Sequence, residues 1–182
     1  MIAGLGKAAE LVTQNLGVYI EHMLKMRRCL EHELQSAFLP LAAYVRVCIF
    51  GVDRCCPGVA ISDLNRFPNG KSTDDAISLL ERFHRLPNTV NLTFIGCPGL
   101  DSHQVLALCP MLQASRGAAC HSASHNSSVL QACGYSVEES KTAIRLSIGR
   151  TTTLDDIVHA VDDLKRAVSS LLFEHLEHAV EG

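Results

Sequence analysis

The sequence predicts an α+β fold: a small sheet with helices packed on it, and a long helix at each end of the chain. Three observations lead there. Apolar residues recur in steps of three and four over 3–38 and again from Leu154 to Leu172, the period of a helix with one buried stripe. Short segments between them are instead alternating, or rich in β-branched and aromatic residues, as strands are. Small polar residues followed three positions later by Glu, Gln or Asp punctuate the same region and read as helix starts.

Taken in order, Leu5, Ala8, Val12, Leu16, Tyr19, Met23, Met26, Leu30 and Leu34 lie on one stripe of a helix that Phe38-Leu39-Pro40 ends. At about 1.5 Å per residue it is on the order of 50 Å long, and a helix of that length packs against something larger than one small domain. Residues 44–50 are rich in β-branched and aromatic side chains and predict a strand. The stretch from 51 to 82 holds the turn signals Cys55-Cys56-Pro57-Gly58 and Arg66-Phe67-Pro68-Asn69-Gly70, with a short helix at 74–83. Thr89 to Phe94 alternates polar and apolar residues and predicts a half-buried strand. Asp101 caps a helix over 102–113, with Gln104 at the reciprocal position and Val105, Leu106, Leu108, Met111 and Leu112 inward.

The small residues Gly117 to Cys120 read as a short strand leading into a loop. Ser127 or Asn126 opens a brief helix that Gly134 closes, and Ser136 with Glu139 forms a capping box. Ile144, Leu146 and Ile148 share one strand face, which leaves Arg145 and Ser147 on the other. Thr153 with Asp156 caps the last helix, whose stripe runs Leu154, Ile157, Val161, Leu164, Val168, Leu171 and Leu172. No internal repeat or low-complexity linker interrupts the pattern.

Composition narrows the functional classes. The chain has 182 residues, 47% of them hydrophobic and 19% charged, with a formal net charge of −3, the profile of a globular domain with one good core. Mild acidity gives no electrostatic reason to expect nucleic acid or an anionic membrane as partner. No apolar run approaches a membrane span, and the first residues lack the basic and apolar regions of a secretory signal. The eight cysteines are therefore expected to be reduced thiols in a cytosolic protein.

Two residues carry the chemical interest. Cys120 follows Gly117-Ala118-Ala119, which permit close backbone approach, and precedes the polar segment from Ser122 to Ser128. A cysteine is by default a small buried hydrophobe; these surroundings favour a reactive thiol, and His121 beside it is placed to lower its pKa if the local backbone brings the two together. Arg145 reads either as an exposed strand residue in a surface ion pair or as a planar fork for a substrate carboxylate. No C-x-x-C occurs, and Cys109, Cys120, His121 and His125 match no zinc spacing, so no metal is expected. His159, His175 and His178 fall on the polar side or end of the last helix.

Four segments occurring in order resemble a known family. They are Met1 to Val12 (MIAGLGKAAELV), Arg85 to Asn91 (RLPNTVN), Gly117 to Ser122 (GAACHS) and Arg145 to Thr153 (RLSIGRTTT). Together they resemble the C-terminal part of the selenocysteine lyases, in the NifS-like branch of the class V aminotransferases, which depend on pyridoxal phosphate. The Ala-Ala-Cys-His-Ser form of the third segment favours that family over the related cysteine desulfurases, whose loop more often reads Ser-Ala-Cys-Thr.

The resemblance implies a chain divided into a long interdomain helix (1–38), an atypical insert or variable segment (39–84) and a small C-terminal domain bearing the catalytic-cysteine loop (85–182). It implies that Cys120 is the catalytic thiol that handles selenium and that Arg145 holds the substrate carboxylate. The implied reaction is cleavage of the C–Se bond of L-selenocysteine to L-alanine and selenide-level selenium, with pyridoxal phosphate as electron sink, in a cytosolic homodimer. Three departures stand out. Residues 40–84 are longer than the family's link between helix and strand. The family's cofactor lysine lies upstream in a Ser-x-His-Lys context, which none of Lys7, Lys25, Lys71, Lys141 and Lys165 matches. Ala123-Ser124-His125 also replaces a more acidic family pattern. Sulfur transfer through Cys120, as in a cysteine desulfurase, and a non-catalytic module that binds a partner are the other two readings.

Overall fold

The computed structural model describes residues 2–50, 85–97, 99–116, 128–132 and 135–180. The expected helix at 74–83, the expected strand at 117–120 and most of segment 39–84 lie outside these residues. Helix α1 (Ile2–Phe38) leads into a short 3₁₀ turn (Leu39–Leu41), with Pro40 in its first positions where a missing N–H costs nothing. Strand β1 (Arg46–Ile49), strand β2 (Thr89–Ile95), helix α2 (Ser102–Ala107), helix α3 (Ser128–Ala132), helix α4 (Val137–Lys141), strand β3 (Ile144–Ser147) and helix α5 (Leu154–Val180) follow. This is the α+β architecture the sequence predicts, with its long helix at each end.

The described strands form one antiparallel sheet in the order β1-β2-β3. Its inner face presents Val90, Leu92, Ile144 and Leu146, all buried, as the period of two requires. Against it pack the C-terminal half of α1, through Met26, Leu30, Leu34 and Phe38, and α5, through Ile157, Val161, Leu164 and Val168. The two helices also pack on each other. No helix among the described residues is long and apolar enough to cross a membrane.

The N-terminal half of α1 behaves differently. Leu5 is 74% exposed, and Val12, Leu16 and Val18 are also exposed, so the predicted stripe is covered by described residues only from about Met23 onward. Periodicity says which face a helix would bury; it does not say whether a partner is there.

Further differences have local causes. Helix α2 stops at Ala107 instead of 113, because Pro110 disfavours helical backbone at Cys109 and offers no N–H. Leu108 and Met111 consequently point outward, Met111 being 87% exposed, whereas Val105 and Cys109 are buried as core. The cap at Asp101 accepts from the His103 N–H at 2.6 Å and not through the reciprocal arrangement expected with Gln104. Thr93 is buried on the outer face of β2, because α4 lies over it: its hydroxyl donates to the Glu139 carbonyl. Just beyond the same end of β2, Gly96 turns the chain with φ +102, where a Cβ would meet the Tyr44 carbonyl at 3.0 Å.

Candidate functional site

The outer face of the sheet carries Arg145. Strand alternation alone sends it there, between the buried Ile144 and Leu146. On one side β3 is flanked by Ser115: the Arg145 N–H donates to the Ser115 carbonyl at 2.7 Å, and the Ser115 N–H donates back at 3.2 Å. On the other side Arg145 is directly opposite Asn91 of β2. Beyond Asn91 the ladder continues to Phe50, whose N–H donates to the Asn91 carbonyl at 2.9 Å and whose ring meets Tyr135 edge-on at 4.3 Å.

The outer face therefore reads Ser115, Arg145, Asn91, Phe50 across the strands. Thr89 and Ser147 form the next row. Helix α4, closed by the Ser136–Glu139 capping box, roofs one end over Thr93. Arg145 and Ser147 remain exposed. No carboxylate among the described residues pairs with the Arg145 guanidinium, although the ion pairs Arg85–Glu31, Arg116–Asp101 and Arg166–Asp163 all form elsewhere. Of its two sequence readings, the surface ion pair is not what the described residues make.

Cys120 lies outside the described residues, so its position relative to Arg145 is fixed here only by the chain. Ser115, hydrogen-bonded to Arg145, precedes it by five residues. Of the other cysteines, Cys48 and Cys109 are buried, and burial pushes the Cys109 thiol up, with the nearby Asp163 carboxylate adding to the shift and Arg166 opposing it. Burial also pushes Cys97 up. These thiols have the opposite of an activated environment.

The turns around Arg85–Leu86 and Gly149–Thr152 are structural anchors. Arg85 donates to Glu31 at 2.6 Å, and Arg27, fully buried, donates to the Leu86 carbonyl at 2.7 Å. After β3, the Gly149 N–H donates to Thr152 Oγ1 at 2.9 Å. His22 Nε2–H then donates to the Thr152 carbonyl at 2.9 Å, and Arg150 reaches the Tyr19 hydroxyl at 3.2 Å and lies over its ring. Both turns lie at the end of the sheet where β2 begins and β3 finishes, and both are tied to α1. Neither Arg27 nor His22 carried a sequence signal, since both partners are backbone carbonyls distant in sequence.

A cleft of about 320 Å³ opens on the far side of β3 between Met111 and α5, where Ser147, Asp156 and His159 line it; Arg145 does not. A cofactor anchored by a lysine finds no cradle in the described residues. Lys7 and Lys141 are exposed in ion pairs with Glu10 and Glu138, Lys25 is exposed, and Lys165 sits on α5, behind the sheet.

No protein-family model matches the chain. Curated relatives do. Selenocysteine lyase of Homo sapiens is 39% identical over 173 residues, covering 94% of this chain and 32% of that protein; selenocysteine lyase of Xenopus tropicalis is 37% identical over 176 residues, again 94% and 32%. A cysteine desulfurase of Frankia sp. is 44% identical over 85 residues, 46% of this chain and 20% of that protein. This chain is thus similar, over most of its length, to one part of the selenocysteine lyases and, over a shorter stretch, to a cysteine desulfurase. Among solved structures, a NifS-like protein from Rickettsia africae superposes with a TM-score of 0.55 at 25% identity, over 92% of this chain and 34% of that one. The chain spans about a third of the length of the selenocysteine lyases it matches. The selenocysteine lyase alignments are longer than 1–38 and 85–182 combined and so run into segment 39–84.

Proposed function

We propose that this chain supplies the substrate-binding and selenium-handling half of a selenocysteine lyase, acting on L-selenocysteine to yield L-alanine and selenide-level selenium. Arg145 clamps the amino-acid carboxylate. Cys120, five residues after Ser115 in the sequence, is the catalytic thiol. The observation that carries this reading is an exposed guanidinium that no described carboxylate neutralises, on a strand hydrogen-bonded to Ser115, five residues before Cys120 in the sequence. Five residues of extended chain reach at most about 18 Å, which is the limit the sequence sets on the separation of Ser115 and Cys120.

In this reading Arg145 orients the substrate by a bidentate contact, which a lysine at the same position would not reproduce. A selenol ionises more readily than a thiol, so the protonation state at the Cys120 loop separates selenocysteine from cysteine. The pyridoxal phosphate on which the family relies requires a lysine this half does not provide. The chain therefore works with a cofactor-bearing complement, in a cytosolic homodimer of the complete enzyme, with the boundaries 1–38, 39–84 and 85–182 marking helix, variable segment and small domain.

Two measurements test it. Chain 1–182 mixed with pyridoxal phosphate is expected to show no saturable visible band of protein-bound cofactor; a stoichiometric band would overturn the half-site reading. Once complemented to an active form, the enzyme is expected to release alanine from selenocysteine faster than from cysteine, and Cys120→Ala to lose the selenocysteine reaction. Preference for cysteine would favour the desulfurase reading instead, which the identity to the Frankia enzyme supports.

A further inference from the structure

The register of the sheet carries an inference that rests on the carboxylate-site reading and adds a second group to it. Arg145 exchanges both backbone hydrogen bonds with Ser115. Its N–H and C=O therefore point away from β2, which makes the Arg145–Asn91 pair a non-hydrogen-bonded one. The neighbouring bonds agree, since Asn91 gives its carbonyl to Phe50 and Ile148 gives its N–H to Asn88. In an antiparallel ladder such pairs have the closer Cα atoms, about 4.5 Å apart, and the closer side chains.

Asn91 thus stands beside Arg145 on the outer face. It is half-buried, as a residue braced for binding should be, and its side chain bonds to none of the described residues. Phe50 and Tyr135, packed edge-on, wall off the far side of Asn91. Thr89, the same-face neighbour two residues earlier, is by contrast already bonded to Asn88. The pair offers a guanidinium fork and a neutral amide donor converging on one anion, and a neutral donor adds a hydrogen bond without a second charge to desolvate.

We propose that Asn91 is a substrate-binding residue: its carboxamide donates to the same amino-acid carboxylate that Arg145 clamps and fixes the carboxylate's orientation over the sheet. An aspartate at this position would occupy the fork itself and exclude the ligand.

The test is a titration of chain 1–182 with L-alanine and with propionate, followed by NMR at the Arg145 Nε–H and the Asn91 side-chain amide. Both signals are expected to shift with one saturable dissociation constant. Asn91→Ala should weaken binding about tenfold while the Arg145 signal still moves, and Asn91→Asp should abolish it. Asn91→Thr, a better strand former, repeats the loss where Asn91→Ala fails to fold, and Thr89→Val should bind as the parent does. Unchanged affinity in Asn91→Ala or Asn91→Thr, with Arg145→Ala inactive, overturns the role of Asn91 and leaves the Arg145 site standing. Binding that survives Arg145→Ala, or no binding by the parent chain, overturns the carboxylate site itself.

Discussion

At the scale of single residues, most of the described arginines hold the chain together, and Arg145 stands apart from them. Arg27, Arg85 and Arg150 are all spent on α1 or its contacts, and Arg145 is not. Replacing Arg145 by Lys keeps the charge and loses the fork, so carboxylate binding in the NMR titration should weaken while folding is unaffected. Binding equal to the parent would show that a point charge suffices. Asp156 makes a different kind of contribution. Hydrogen bonds from the Thr153 backbone and side chain hold its carboxyl below the ordinary 3.8. A carboxyl depressed in the folded state stabilises above its unfolded pKa and loses that effect as pH falls through the folded value. Asp156→Asn should therefore be less stable than the parent by a constant margin above about pH 5, and the margin should shrink as the medium is acidified below 3.8. Paired urea melts from pH 7 to pH 3 measure this, and a margin independent of pH would remove the charge from the account.

At the scale of elements, turns and caps decide where each piece starts and stops. Gly96 has φ +102 and its missing Cβ leaves room for the Tyr44 carbonyl, so Gly96→Ala incurs both strain and a clash. A loss of about 1–3 kcal/mol is expected, read from the urea midpoint at constant m; an unchanged midpoint would mean that the turn relaxes freely. The elements also show which parts of the fold were legible. The Ser136–Glu139 box and the Thr153–Asp156 cap could be read because both partners lie within four residues. The three described strands and the core stripe of α5 were legible for the same reason, a short period repeated. The end of α2 was misread because the apolar spacing of Leu108, Met111 and Leu112 outweighed Pro110 in the pattern. The site was half legible: alternation placed Arg145 outward, but its pairing with Ser115 and Asn91 depends on register between strands far apart in sequence, which no local pattern encodes.

At the scale of the whole molecule, the core and the exposed apolar helix surface are separate. Every buried residue of α1 lies at or beyond Met26, and the Tyr19–Arg150 and His22–Thr152 contacts secure the helix just before that point. The first four turns of α1 add little to the stability of the described fold, because their apolar side chains are not removed from water. Their hydrogen bonds are likewise exposed, and exposed helix without tertiary packing is marginal in water. Deleting residues 2–16 should therefore shift the melting temperature of the chain by only a degree or two, whereas Leu34→Ala, at a fully buried position, should cost about 2–5 kcal/mol. Amide exchange gives the same contrast without a mutation: amides before Tyr19 should exchange far faster than those from Met26 to Phe38. Equal protection along the whole helix would mean that a partner covers its first half in solution. Rapid exchange confined to that half would instead leave Leu5, Val12, Leu16 and Val18 as a surface that stays wet in this chain.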